Sequence, residues 1–307
     1  MSWTFDAPTG TYRNHALSTQ IRREAIANTQ FMKFMRAEPG FGKKRGESVT
    51  ITRVMALPHA SRVSETERLP SGRPSIETKT IPVSQWGFKI PMTEFETHLT
   101  HFNLMDPFQA ALRDQIDLTM DVMCADALKL TPVKYTPTSS GGEFVTDGSA
   151  DSLASRNVEV QDLRRIHDRL HGDLKCPKFK NGKYVGILST RAARGLKNDP
   201  EYKDWLAPST SDPLISGRLK DIENFALFET NHIEALADLV GTSTVCGEAI
   251  FFGADAGGLV RVMDPEMRAG IPEELGTFRE VGWVGSIEAF LTWERPSMAR
   301  CIHVSST

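Results

Sequence analysis

Two histidines four residues apart form the pattern in this sequence that comes closest to a chemical site. His167 and His171 fall one turn apart on a predicted helix, and Cys176 follows nearby. Imidazole and thiolate groups are the usual zinc ligands, so the pattern is compatible with a cytosolic metal-dependent hydrolase. However, the residue after His167 is not the glutamate of an HExxH motif, and no second ligand cluster follows. We therefore expect solvated or hydrogen-bonded histidines here, with no metal and no cofactor.

The other candidate motifs each lack a required residue. The glycines of residues 253–258 match neither a dinucleotide-binding loop nor a phosphate loop. The segment around Ser243 lacks the last glycine of a nucleophile elbow, so the sequence does not support a Ser-His-Asp hydrolase. Three further pairs are expected to be surface side chains: His98 with His101, Glu65 with Glu67, and Glu273 with Glu274. We predict no catalytic residue, and hence a chain that is not an enzyme.

Composition places the chain among ordinary globular proteins. It has 307 residues, of which 40% are hydrophobic and 24% charged, which excludes global disorder and coiled-coil classes. The net charge of −3 excludes a globally basic nucleic-acid binder. The four cysteines are far apart, which favours reduced thiols in a cytosolic setting. We find no apolar run long enough for a spanning helix and no signal-peptide pattern.

The first 46 residues form a basic arm, with eight Lys or Arg against three acidic residues. Within it, Lys43, Lys44 and Arg45 are candidates for contact with DNA phosphates or with an acidic helix, and both possibilities stay open. Apolar residues at three- and four-residue steps predict a short amphipathic helix that ends before Pro39. They are Leu17, Ile21, Ala25, Met32 and Met35, with Phe31 and Phe34 beside them.

Two stretches with a period of two come next, and they predict the arms of a long hairpin. The first covers residues 47–57, with apolar residues at odd positions, and the second covers residues 76–90. An isolated two-stranded ribbon is only marginally stable in water, so we expect it to lie on another protein surface. The candidates for contact between subunits are Arg62, Glu65, Glu67, Arg68, Arg73, Trp86 and Phe88.

The clearest helix signal begins at Asp106. Asp106 can cap free amides, Pro107 suits the first helical position, and Gln109 stands where a capping box places Glu or Gln. Apolar residues then recur at three- and four-residue steps to Leu130, which predicts a helix of about 25 residues. We expect its outer face to be acidic, with Asp114, Asp117, Asp121 and Asp126, and to pair with the basic arm.

The second half of the chain predicts a mixed lobe. Residues 136–157 are rich in Ser, Thr and Gly and are typical of a loop between lobes. Beyond them the pattern predicts helix 159–171, a strand at 184–188, a helix from 190 to about 196, and a further strand. The last residues are strand-like again and are expected to return beside the first lobe. The fold class is therefore α+β.

This order of elements, with several short motifs, resembles the major capsid proteins of tailed double-stranded DNA phages that have the Hong Kong 97-type fold. The resemblance is closest to the subgroup typified by N-four-like podoviruses, and it covers most of the chain. The motifs that carry it are Gly42-Lys43-Lys44-Arg45-Gly46-Glu47-Ser48-Val49, Gln85-Trp86-Gly87, Tyr184-Val185-Gly186-Ile187, Asn198-Asp199-Pro200, Ser216-Gly217-Arg218-Leu219-Lys220-Asp221-Ile222 and Phe228-Glu229-Thr230.

The resemblance implies four structural units. Residues 1–46 would be the N-arm and 47–92 the extended hairpin called the E-loop. Residues 93–157 and 275–307 would form the peripheral (P) domain around a spine helix at about 106–130, and residues 158–274 the axial (A) domain.

The resemblance also implies partners and a location. Such subunits assemble as pentamers and hexamers into an icosahedral shell around packaged DNA, after a period in the host cytoplasm. A scaffolding protein and a portal would be partners, with a decoration protein as a further candidate, and no membrane would be involved. The best-known relative of the fold joins its subunits through a lysine near the hairpin tip, whereas residues 58–75 here contain no lysine. A non-covalent shell is therefore expected. The alternative within the fold is an encapsulin-like nanocompartment.

Overall fold

The computed structural model describes residues 26–38, 48–65, 68–95, 105–149, 153–206, 221–241, 245–270 and 277–305. Within these ranges the α-helices are α1 (Met105–Lys129), α2 (Val160–Asp168), α3 (Thr190–Asn198) and α4 (Pro200–Leu206). A 3₁₀ turn covers Phe31–Phe34, and a π-helical turn, Arg169–Asp173, continues α2. None of the described helices has the length and hydrophobicity to cross a membrane.

The twelve strands form three sheets. In chain order they are β1 (Arg36–Glu38), β2 (Ser48–Val54), β3 (Ile76–Pro82), β4 (Ser84–Thr93), β5 (Lys134–Thr136), β6 (Glu143–Val145), β7 (Tyr184–Ser189), β8 (Phe225–Thr230), β9 (Ala249–Phe252), β10 (Gly257–Ala269), β11 (Phe278–Leu291) and β12 (Cys301–Val304). One sheet has the order β1-β10-β11-β4, and another has the order β6-β5-β12-β9-β7-β8. Strands β2 and β3 pair only with each other within the described residues. The α+β prediction is confirmed.

Helix α1 connects the two larger sheets. It begins and ends within one residue of the predicted bounds, because its capping signals and its periodicity agree. Its apolar face shares one buried core with Trp283 and Ile287 of β11 and with Ile250 and Phe252 of β9, and the strands that it contacts directly are β10, β11 and β12. The helix residues in this core are Leu112, Ile116, Met120, Cys124 and Leu128. The six-stranded sheet is therefore covered by α1 on one face.

The other face of the six-stranded sheet is covered by α2 and α3. Side chains alternate between the two faces along each strand, as the period of two requires. In β9, for example, Phe251 packs with Leu163 and Ile166 of α2, whereas its neighbours Ile250 and Phe252 face α1. Residues 136–157, predicted as a loop, also contribute β6, which pairs with β5. That loop prediction was therefore wrong for Glu143–Val145.

The N-terminal segment 26–38 is held on the body by a buried carboxylate. Oδ1 of Asp121 accepts hydrogen bonds from the backbone N–H groups of Phe31, at 2.8 Å, and Met32, at 3.4 Å, and Oδ2 lies 3.3 Å from Nδ1 of His232. The phenyl ring of Phe31 is fully buried in the α1 core. Strand β1 then pairs in parallel with β10.

This arrangement corrects two predictions. The described part of the predicted arm helix, residues 26–38, is a 3₁₀ turn and then a strand, because Asp121 satisfies the first amides of the turn and β10 pairs with Arg36–Glu38. The expected acidic outer face of α1 does not include Asp121, which is fully buried and binds peptide N–H groups instead of cationic side chains. Asp117 and Asp126 are exposed, as expected.

A second buried carboxylate, Glu248, joins the end of α1 to the six-stranded sheet. Its carboxylate accepts from the backbone N–H of Ala237, at 2.8 Å, and pairs with Lys129 at 3.2 Å and with His303 of β12 at 3.4 Å. Nδ1 of His303 lies 3.0 Å from Nζ of Lys134. Burial raises the pKa of Glu248, but the His303 and Lys129 contacts and the Ala237 amide outweigh it and hold this pKa at about 2 instead of 4.5.

We predict that the Glu248 cluster makes the fold sensitive to acid. Because the folded pKa is depressed, the carboxylate stabilises the protein fully above pH 4.5 and loses this contribution as pH falls toward 2. Glu248→Gln should lower the free energy of unfolding of the unassembled chain by on the order of 3 kcal/mol at pH 6. The difference from the parent should shrink between pH 4.5 and 2.5 in urea titrations. Glu280→Gln, which removes an exposed partner of Lys89, is the control and should cost under about 1 kcal/mol. A difference that does not depend on pH would contradict the assignment.

The Asp121 contact gives a second prediction, on local stability. Asp121→Ala leaves two N–H groups without their acceptor, which costs about 1–3 kcal/mol for each buried group. Amide hydrogen exchange should therefore accelerate in residues 28–36 more than in β9 or β12. Asp117→Ala removes an exposed carboxylate from the same helix and should leave exchange of residues 28–36 unchanged. Equal acceleration in both variants would show that Asp121 does not anchor the segment.

Candidate assembly surfaces

The β2–β3 ribbon has one face fixed on the body of its own chain. Val49 of β2 and Ile81 of β3 are buried against Val260 of β10 and Phe290 of β11. Nζ of Lys79 donates to the carbonyl oxygen of Leu291 at 2.8 Å. The expectation that the ribbon rests on another protein was therefore wrong for this face.

Ion pairs hold the same face where it meets the segment after β11. Lys79 pairs with Glu294, and Glu77 pairs with Arg295. The guanidinium of Arg53, which is largely buried, lies 3.9 Å from Glu294. Apolar packing and ion pairs on one face therefore hold the ribbon in place within the single chain.

The opposite face of the ribbon is exposed and carries no charge. Residues directly opposite on paired strands share a face, and the register pairs Val54 with Ile76, Thr52 with Thr78 and Thr50 with Thr80. All six side chains are exposed and β-branched, and the hydroxyls of Thr50 and Thr80 lie 3.3 Å apart. Such a surface has the composition of a strand face that packs against protein. We call these six residues the ribbon outer face.

The segment between the ribbon strands is exposed over most of its described length, apart from the buried Met55 and the partly buried Val63. Arg62, Glu65, Arg68 and Arg73, the predicted contact residues, all lie on the surface. Glu67 lies outside the described residues. Two large apolar side chains, Leu57 and Leu69, are also exposed in this segment.

Trp86 and Phe88, the other predicted contact residues, are not in the ribbon. The second predicted hairpin arm, residues 76–90, divides at Val83: the part before it pairs with β2 and the part after it, β4, pairs with β11. Strand β4 is an edge strand, and within the described residues its second side has no partner strand. Trp86 is 39% exposed and Phe88 is 52% exposed on this edge. Long edges with exposed aromatic side chains are sites where another chain pairs.

The predicted DNA or acidic-helix contacts, Lys43, Lys44 and Arg45, lie outside the described residues. The same is true of His98 and His101. These predictions therefore remain expectations from the sequence.

The ring of His167 packs against Tyr184 and Phe225, and its Nε2 is buried with no hydrogen-bond partner among the described residues, so the expectation of solvated or hydrogen-bonded histidines is wrong for this atom. The rings of His167 and His171 are stacked with centroids 5.6 Å apart, and the Tyr184 hydroxyl lies 3.4 Å from Nδ1 of His171. The Cys176 sulfur lies 3.7 Å from the carbonyl oxygens of Pro177 and Arg300, and burial raises the pKa of this thiol to about 12. Within the part of the chain that the structure describes, no group of three or more metal-binding side chains comes together.

Sequence reasoning missed the ribbon outer face and the role of Asp121. The sequence does contain a signal for the ribbon outer face, since its threonine and valine residues alternate with the inner-face residues along β2 and β3. The sequence contains no signal for the role of Asp121, because an aspartate in a charged helix gives no sign that backbone amides will be its partners.

Comparison with known proteins adds evidence on the fold. The sequence matches no protein-family model, and no curated protein matches it. Many solved structures match, although the identities are low. The cyanophage Pam1 capsid asymmetric unit has a TM-score of 0.77 at 14% identity, and the match covers 98% of each chain.

Two further capsid structures match along almost their whole length. The acidic stable capsid of Helicobacter pylori bacteriophage KHP30 has a TM-score of 0.70 at 14% identity, covering 100% of this chain and 99% of the other. The capsid of Ralstonia phage GP4 has a TM-score of 0.65 at 14% identity, and the match covers 100% of this chain and 98% of the other. The chain therefore has the fold of tailed-phage capsid subunits, consistent with the Hong Kong 97-type resemblance.

Proposed function

We propose that this chain is the major capsid protein of a tailed double-stranded DNA phage and acts by self-assembly, without catalysis. The observation that carries the proposal is the match of the whole chain, end to end, to phage capsid structures. A fold alone does not define a function, so the surfaces must also be suitable. The ribbon outer face and the β4 edge are two separate exposed surfaces on one subunit, as a shell requires.

The proposed units keep the boundaries expected from the resemblance. The N-arm covers 1–46, the E-loop 47–92, the P domain 93–157 with 275–307, and the A domain 158–274. In this division the β10–β11 pair and the β9–β12 pair both join the two domains, so the domains share both larger sheets. Helix α1 is the spine helix of the P domain.

The proposed assembly consists of pentamers and hexamers in an icosahedral shell. Identical subunits around a closed ring make heterologous contacts, in which two different surfaces meet. We propose that the ribbon outer face and the segment with Arg62, Glu65, Arg68 and Arg73 meet a neighbouring subunit. The proposed partners beyond other copies are a scaffolding protein, a portal and packaged DNA, with a decoration protein as a further candidate. The proposed location is the virion capsid, after synthesis in the host cytoplasm.

The ribbon outer face gives a prediction on assembly. In Thr52→Glu/Thr78→Lys, two opposite charges face each other across the strands, so the ribbon itself should remain stable. Burying these charges against a neighbour carries a desolvation cost that the parent does not have. We expect normal circular dichroism and an unfolding midpoint within about 4 °C of the parent, but no shells in negative-stain electron microscopy.

The matched control for this variant is Thr52→Val/Thr78→Val. It keeps the shape of the surface and removes two hydroxyl groups, so particles should form as in the parent or more readily. Shells from the charged variant, or loss of shells in both variants, would contradict a packed contact at this face.

The β4 edge gives a separate prediction. Trp86→Thr/Phe88→Thr keeps strand propensity but removes the exposed aromatic area. Aromatic anchors often contribute more than about 1.4 kcal/mol to an interface, so the critical concentration for assembly should rise at least about tenfold. Light scattering against protein concentration measures this. Phe95→Thr removes another exposed aromatic ring from outside β4 and should leave the critical concentration unchanged. If the two variants behave alike, the edge is not a specific contact.

A further inference from the structure

A loop rich in lysine joins the π-helical turn to β7. Residues 175–183 read Lys-Cys-Pro-Lys-Phe-Lys-Asn-Gly-Lys, so four of the nine side chains are cationic and none is acidic. We call these residues the lysine turn. The whole chain has a net charge of −3, so the turn is a local concentration of charge of the opposite sign.

The lysine turn is held in place by aromatic contacts with the body. The ring of Phe179 packs against the rings of Phe34 and Phe252, and the centroids are 6.0 Å apart in both pairs. The ammonium group of Lys178 lies over the ring of Tyr184, 5.4 Å from its centroid. Because these contacts already order the turn, a partner that binds there meets a preformed surface and loses less free energy to ordering.

The acidic residues beside the lysine turn are paired with other cations. Asp255 lies next to the turn because the N–H of the residue before it donates to the carbonyl oxygen of Pro177 at 2.9 Å. The pairs are Asp173 with Arg169, Asp221 with Lys183, and Asp255 with both Arg36 and Arg300. Among the described residues, Lys175, Lys178 and Lys180 have no acidic partner. The charge of these three lysines is therefore not neutralised within the described part of the chain.

The composition of the lysine turn suits a phosphate backbone better than a protein partner. Its exposed residues are lysine, proline, asparagine and glycine, and its one large apolar side chain, Phe179, is partly buried against the body. Protein interfaces rely on apolar and aromatic anchors, which the turn does not present. Binding to a nucleic-acid backbone instead requires cations near phosphates and the release of counterions. Lysine ammonium groups on flexible stems can make such contacts at any base sequence.

We propose that the lysine turn binds the phosphate backbone of double-stranded DNA through Lys175, Lys178 and Lys180. The choice of double-stranded DNA as the nucleic acid rests on the proposed function, in which the shell encloses it. The turn belongs to the single subunit and is separate from Lys43, Lys44 and Arg45, the candidates from the sequence.

Equilibrium binding of the full-length, unassembled chain to a fluorescein-labelled DNA duplex of mixed sequence tests the proposal. Lys175→Gln/Lys180→Gln removes two exposed cations, so circular dichroism should remain that of the parent. At about 0.1 M salt the variant should bind the duplex at least about tenfold more weakly than the parent. The slope of log K against log salt concentration should also become shallower by about 1.8, because two phosphate contacts are lost.

Two further variants serve as controls for charge and for position. Lys197→Gln/Lys203→Gln removes the same charge from α3 and α4 and should bind within about twofold of the parent. Lys175→Arg/Lys180→Arg keeps both charges in the turn and should also bind within about twofold. Equal weakening in the two glutamine variants would overturn the proposal, because binding would then follow net charge alone.

Polyglutamate tests for an acidic protein as the partner. If it binds the parent more tightly than the duplex does at equal total charge, the proposal is overturned. Shell formation by the parent is scored separately in electron microscopy. A parent that forms shells, with no loss of DNA binding in Lys175→Gln/Lys180→Gln, overturns the lysine turn and leaves the capsid function standing. A parent that forms no shells, with the loss of binding as expected, supports the lysine turn and counts against the capsid function.

Discussion

The apolar face of α1 has to be buried from two sides, and the rest of the structure depends on that requirement. Leu112, Ile116, Met120 and Leu128 of this helix are buried, and each contributes about 1.5–3 kcal/mol when removed from water. Strands of both larger sheets contribute to this core, and the helix contacts β10 and β11 of one sheet and β12 of the other. The helix therefore fixes the two larger sheets relative to each other. The sheet also satisfies a polar atom of this helix, since Nε1 of Trp283 in β11 donates to Oε1 of Gln115.

The features that the sequence predicts well are those with two independent signals. Helix α1 has both a capping pattern and a long apolar period, and its bounds were predicted within one residue. The second hairpin arm shows the opposite case, because a period of two identifies a strand but not its partner. The apolar positions change from odd (Ile81, Val83) to even (Trp86, Phe88, Ile90) where the chain leaves β2 and joins β11, but the change does not identify the new partner. Asp121 illustrates a further limit, since its amide partners lie about 90 residues away and leave no mark in the local sequence.

The ribbon combines a fixed inner face with an open outer face, and this has a consequence for assembly. Association normally loses free energy when flexible segments become ordered. Because Val49, Ile81 and the Lys79–Glu294 pair already hold the ribbon on its own body, less ordering remains for the contact itself. An uncharged, β-branched outer face also suits identical subunits that meet in slightly different geometries. Apolar burial depends weakly on direction, whereas an ion pair depends strongly on it.

A shell built from such contacts depends on their number. The segment between β2 and β3 contains arginines but no lysine, so it offers no side-chain amine for an amide bond with a neighbour. Guanidinium groups instead form reversible bidentate pairs with carboxylates. Exposed pairs of this kind contribute little singly, which lets a wrongly placed subunit leave before the shell closes. In the proposed shell, each subunit would be held by several such surfaces at once, and their free energies would add while the loss of translational freedom would occur once. Weak individual contacts are therefore compatible with a stable particle.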